Sequence, residues 1–120
     1  GASWWLPAGD HIHVVDARRW TVQATHAAPA SVHGLRTLGA QVAARVGAPG
    51  RLLLWRDERW QAVEGLGAVS AIGADAVAGH WLVAAGTASV VHRIGLDGQR
   101  IASVPLPGPM SITGLQALSA

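Results

Sequence analysis

Trp81-Leu82-Val83-Ala84-Ala85-Gly86 is the stretch on which the reading of this chain turns, because two earlier segments repeat it. Trp4-Trp5-Leu6-Pro7-Ala8-Gly9 and Val42-Ala43-Ala44-Arg45-Val46-Gly47 align with it, and the glycines stand 38 and 39 residues apart. A fixed period of that size governs every local reading. After each glycine comes a second apolar run: Ile12-His13-Val14-Val15-Asp16, Leu53-Leu54-Trp55-Arg56-Asp57 and Val91-His92-Arg93-Ile94. A polar turn follows each, at residues 16–19, 57–59 and 96–99. A third run starts at Trp20-Thr21-Val22, Trp60-Gln61-Ala62-Val63 and Arg100-Ile101-Ala102-Ser103-Val104. A short small-residue run closes each unit: residues 31–35, 69–72 and 111–115.

Short β-rich runs punctuated by Gly, Asp and Pro predict strands and turns. Asp97-Gly98 is the clearest hairpin signal, since glycine accepts the positive φ of a tight turn. Residues 40–46 and 75–85 are alanine-rich and compete as helix. Glycines at 39, 47, 73 and 79, with Pro49 and Gly50, leave no uninterrupted span near the roughly 11-residue mean helix. The chain is therefore predicted all-β: one domain over residues 1–120, with repeats near 4–39, 40–78 and 79–118.

Three units of four strands predict three β-propeller blades. The first unit starts on the second strand of a blade, and Ser111-Ile112-Thr113-Gly114-Leu115 reads as an innermost strand. Propellers have about four to eight blades, so three do not close a ring. The expected partner is a second copy, head to tail, in a six-bladed dimer whose chain ends complete each other's first blades. The alternatives are that the chain is a fragment of a longer propeller or that it pairs with another propeller fragment. A β-trefoil shares the arithmetic of three four-stranded units and closes as a monomer, and an irregular β-sandwich is a further alternative. The segments Trp81–Gly86, Val90–Ile94, Leu96-Asp97-Gly98-Gln99 and Ser111–Leu115 resemble β-propeller repeats of the WD40-like and NHL-like kind, over residues 4–118. The Gly-His and Trp-Asp dipeptides of WD40 blades do not stand at the expected places, although Leu54-Trp55-Arg56-Asp57 comes near.

Composition excludes several classes of function. The 120 residues are half apolar and 13% charged, which argues against disorder. No run of about 18 apolar residues is present, so no membrane span is expected. No basic-then-hydrophobic leader is read at the start, and a cytoplasmic setting is the expectation. Nine Arg against seven acids give a net charge of only +2. The sequence pI of about 11.1 reflects the lack of Lys, Tyr and Cys to titrate below arginine. The arginines are scattered, so a nucleic-acid partner is not expected. Zero cysteine removes disulfides, thiolate metal sites and Cys nucleophiles.

No G-x-S-x-G context surrounds any serine, and no Gly-Lys-Ser/Thr loop occurs, so no catalytic residue is assigned. His11 and His13 share a strand face and could meet one ion, with Asp10 nearby. Two surface histidines are the commoner meaning, and no metal or cofactor is expected. The predicted ligand positions are His33, Ser70 and Thr113, on the strands that would line a propeller channel. The alternative is a carbohydrate-binding lectin that stacks sugars on Trp20 or Trp60, helped by Arg18, Arg59 and Glu64. Core packing competes for the tryptophans: Trp4, Trp55 and Trp81 at repeat-related positions, with Trp20 and Trp60 expected to pack alike. The functional expectation is a non-enzymatic propeller scaffold binding a protein or small ligand at the channel face.

Overall fold

The computed structural model describes residues 3–85 and 90–105. Within them lie eleven strands: β1 (Ser3–Ala8), β2 (His11–Asp16), β3 (Val22–Ala27), β4 (Val32–Leu38), β5 (Gln41–Val46), β6 (Arg51–Arg56), β7 (Arg59–Ala62), β8 (Val69–Asp75), β9 (His80–Ala85), β10 (Val90–Ile94) and β11 (Arg100–Pro105). They form three antiparallel sheets in chain order: β1-β2-β3, β4-β5-β6-β7 and β8-β9-β10-β11. The expected strand at 111–115 lies outside the described residues. Neither alanine-rich competitor is helical: residues 41–46 form β5, and 75–85 run from the end of β8 through a turn into β9. Alanine is a poor strand former in isolation, but β5 is buried on both faces, where small side chains let two sheets approach.

Registers show that the units correspond. Trp4 faces Val15, Val42 faces Trp55, and Trp81 faces Ile94, each four residues before the end of its hairpin strand. Successive strand residues point to opposite faces. Ala44, Val46 and Leu53 of the second sheet therefore meet Trp5 and Ile12 of the first in one core. Leu52 and Leu54 meet Trp81, Val83 and Ile94 of the third sheet in another. Backbone bonds repeat the same link. Val32 N–H donates to the Gly9 carbonyl at 2.8 Å, and Val69 N–H to that of Gly50 at 2.8 Å. Each ties the start of a sheet's first strand to a loop of the sheet before. A Cβ at Gly50 would overlap the Val69 carbonyl oxygen and stand 3.2 Å from Arg45 Cγ. Only glycine fits there.

The loops correct the expected third run of the first unit. Trp20 and Thr21 precede β3, and Trp20 has φ 53°. Asp16 causes this. Its Oδ1 accepts the backbone N–H groups of Arg18 and Arg19 at 2.8 and 2.9 Å, and Trp20 N–H returns to the Asp16 carbonyl at 2.9 Å. Those bonds, Arg19's foremost, hold the Asp16 carboxyl below the usual carboxylate range. Asp75 builds the same loop. Its Oδ1 takes Val77 and Ala78 N–H, both at 3.1 Å, while Gly79 closes it at φ 72°. Trp20 thus occupies a left-handed position that Gly79 fills elsewhere in the chain. Gly98, at φ 88°, sits in the predicted β10–β11 turn.

A histidine–hydroxyl pair also recurs. His13 Nδ1 lies 2.9 Å from Thr25 Oγ1 and His92 Nδ1 2.7 Å from Ser103 Oγ, in matching registers. His92 is only 7% exposed. Burial first, and the Arg100 charge second, push its pKa below the usual 6.5.

Three outcomes follow from these contacts. Trp20→Asn should raise stability in urea by about 0.5–1 kcal/mol, because asparagine tolerates the left-handed region better than tryptophan; a loss would contradict the strain. Gly50→Ala should destabilise by about 1–3 kcal/mol through forced separation of the second and third sheets. For His92, the unfolded chain takes up a proton near 6.5 while the folded chain resists. Its contribution is therefore complete above that value and lost as pH falls from there towards the lower folded-state value. The thermal midpoint should drop between about pH 7 and about pH 5, and His92→Gln should flatten that drop.

Candidate functional site

The sheets converge at their early strands: β4 lies against β1 and β8, and β5 against β8. Both β4 and β8 carry a bulge at the same place, where the register slips between Val32 and Gly34 and between Val69 and Ala71. The residues left over are His33 and Ser70. A bulge breaks the ladder and re-aims a side chain, and bulges gather beside functional sites. His33 and Ser70, two of the three predicted ligand positions, are brought together. With Gly34, Arg36, Arg45, Ala71 and Ile72 they line one pocket of about 140 Å³. Thr113, the third predicted position, lies outside the described residues.

Two arginines complete this pocket, and neither was foreseen. Arg45 is half-buried, and its Nη2–H donates to the His33 carbonyl at 3.2 Å. The bulge takes His33 out of the regular ladder beside this bond. Arg36 is exposed and donates from Nη1 to the Leu35 carbonyl at 2.7 Å. Ser70 Oγ–H reaches the Ala84 carbonyl at 3.4 Å, the edge of hydrogen-bonding range. Gly50, by having no side chain, leaves room for the Arg45 stem. The signal that could have found Arg45 was its place three residues after Val42, opposite the strand that holds His33.

The tryptophans divide. Trp5 stacks on His26 at 5.2 Å, and Trp55 lies 4.4 Å from His26, 5.9 Å from Trp5 and 5.0 Å from Trp60, centroid to centroid. Trp60 Nε1–H donates to the Ala27 carbonyl at 3.0 Å, so this ring bridges the first and second sheets. Trp81 is buried between the second and third sheets. Trp20 does not pack like Trp60: it stands 71% exposed at the tip of the Asp16 loop. Trp4 does not fill an interior space either. It is 54% exposed, whereas Val42 and Trp81 at the corresponding positions are 2% and 1% exposed. The difference is the missing neighbour on that side. Arg59 is exposed at the start of β7, after a turn in which Asp57 and Glu58 both have positive φ.

A wider cleft of about 540 Å³ lies at the other end of the second sheet, among Gln41, Trp55, Arg56, Asp57, Glu58 and Asp97. Arg56 crosses it to the Asp97 carbonyl at 2.8 Å and tethers the third sheet. His11 Nδ1 is taken by Asp10 Oδ1 at 2.7 Å and His13 by Thr25, and among the described residues no three potential ligands cluster for a metal.

No protein-family model matches the sequence. No curated protein matches it either. Solved structures do. One is the crystal structure of the Myceliophteria thermophila Cps50 (Swd1) beta-propeller domain, with a TM-score of 0.60 and 10% identity over 87% of this chain. The chain spans 41% of that protein's length. At this identity the likeness speaks to architecture alone. The chain is all-β, its three antiparallel sheets have a β-propeller as structural neighbour, and it spans less than half of that neighbour.

Proposed function

We propose that the chain is a non-enzymatic β-propeller scaffold whose three sheets act as blades. A second copy, head to tail, completes a six-bladed ring, and a protein or small ligand binds at the channel face beside His33 and Ser70. One observation carries this reading: the corresponding residues Trp4, Val42 and Trp81 are buried only where another sheet precedes them. Leu6 repeats the pattern, exposed where Ala44 and Val83 are buried. At the opposite end, Leu82 and Val91 are half-buried and Val104 is 56% exposed on the face turned away from the second sheet.

Those two faces are complementary in kind. Trp5 and Ile12 on the far side of the first sheet already pack against Ala44 and Val46 of the next. Leu82 and Val91 of one copy would meet Trp4 and Leu6 of another in the same way. Closure also removes exposed sheet edges, which otherwise recruit other chains. The channel pocket then lies inside a rigid ring, on bulges rather than on long loops.

A second reading keeps its own support. Trp20 stands exposed in a strained conformation, with Arg18 beside it in the loop, an arrangement suited to stacking on a sugar.

Light scattering should return twice the 12.4 kDa chain mass, and Trp4→Arg should return a folded monomer, because a charge on that face cannot be buried against a neighbouring blade. A native monomer at high concentration would remove the ring. Glycan-array binding by the native chain that Trp20→Ala abolishes would establish the lectin reading instead; an array without signal would end it.

A further inference from the structure

We infer that the pocket between the two bulges is an oxyanion site: it takes a carboxylate or a phosphate group. This rests on the channel-face reading above and gives that face its ligand chemistry. The pocket gathers His33, Arg36 and Arg45 with the Ser70 hydroxyl, and none of its lining residues is acidic. Each guanidinium carries five N–H donors. Arg36 and Arg45 each spend one on a backbone carbonyl. Among the described residues no carboxylate lies within ion-pair distance of either arginine.

Arg45 makes the case specific. It is half-buried, where a cation without a counter-charge is costly and an incoming anion removes that cost. Its stem passes over Gly50, where a side chain would crowd it, and its fork is bonded to the His33 carbonyl, which orients the guanidinium before any ligand arrives. A planar, oriented guanidinium matches an oxyanion in two parallel hydrogen bonds. Size points the same way. About 140 Å³ is well below the roughly 300–1,000 Å³ that holds a drug-sized molecule, and it suits one small charged group at the tip of a ligand. No corresponding arginine exists in the other sheets: Pro7 and Ala84 stand where Arg45 does. Among the described residues the site is therefore single.

The test is an NMR titration of the native chain with inorganic phosphate, succinate and the neutral analogue succinamide. The Arg45 Nε–H signal and the backbone amides of Gly34, Ala71 and Ile72 are followed. Phosphate or succinate should shift these signals saturably while succinamide leaves them in place; the stronger of the two anions names the source. Arg45→Gln and, on the exposed side, Arg36→Gln should each weaken binding by about tenfold or more, whereas Arg19→Gln in the distant Asp16 loop should not. Equal loss in Arg19→Gln would mean general charge attraction and overturn the assignment. Binding of succinamide as well as succinate, or unchanged affinity in both pocket variants, would also overturn it while leaving a channel-face site standing. Silence of the pocket signals towards all three compounds would overturn it, and a native monomer by mass would separately remove the ring. Should Arg45→Gln not fold, Arg36→Gln and the native Arg45 Nε–H signal decide the matter.

Discussion

Face-to-face packing of sheets that are apolar on both sides is the constraint from which the rest of this structure follows. A sheet with one apolar face can put the other into water. The second sheet here cannot, because β5 and β6 bury residues pointing both ways: Ala43, Leu52 and Leu54 towards one neighbour, Ala44, Val46 and Leu53 towards the other. It needs a sheet on each side. The hydrophobic contribution of such burial, about 25 cal/mol per Å², depends on both faces being covered. The first and third sheets carry the same two-sided pattern and have one neighbour each among the described residues.

Backbone geometry turns that general attraction into one arrangement. The bonds from Val32 to Gly9 and from Val69 to Gly50 set the same offset between successive sheets. Gly50 permits the second by having no side chain. At the outer end, Arg56 spans to Asp97 and Trp60 to Ala27, so each pair of sheets is pinned by a polar bond as well as by its apolar core. The pocket at His33 and Ser70 is a consequence of this offset. Two bulges at equal heights on neighbouring strands face a common space, and Arg45 enters it from β5.

Much of this was legible in the residues. Strand-length apolar runs between glycines showed the strand order, and the period showed which runs correspond. Asp97-Gly98 marked its turn. That His33 and Ser70 correspond was legible because they follow the same apolar residue in their units, Val32 and Val69. Other features were hidden. A left-handed tryptophan has no local signature, so the start of β3 was placed too early; the cause is the Asp16 carboxylate, bonded to residues two and three positions on. Trp4 and Trp81 look identical in sequence, yet one is exposed and the other buried, since the difference lies in a neighbour and not in the residue.

Local chemistry thus determined the elements. Periodic apolar runs make strands, glycine and aspartate make the turns between them, and the absence of cysteine and lysine closes off whole classes of site. Only the tertiary structure decided which strand residues become ladder partners and which become bulges, and hence that His33, Ser70, Arg36 and Arg45 share a pocket. The physical reason is range. A turn is settled by atoms a few residues apart, whereas the meeting of β4, β5 and β8 depends on sheets sliding to the one offset where their apolar faces and backbone bonds are satisfied together.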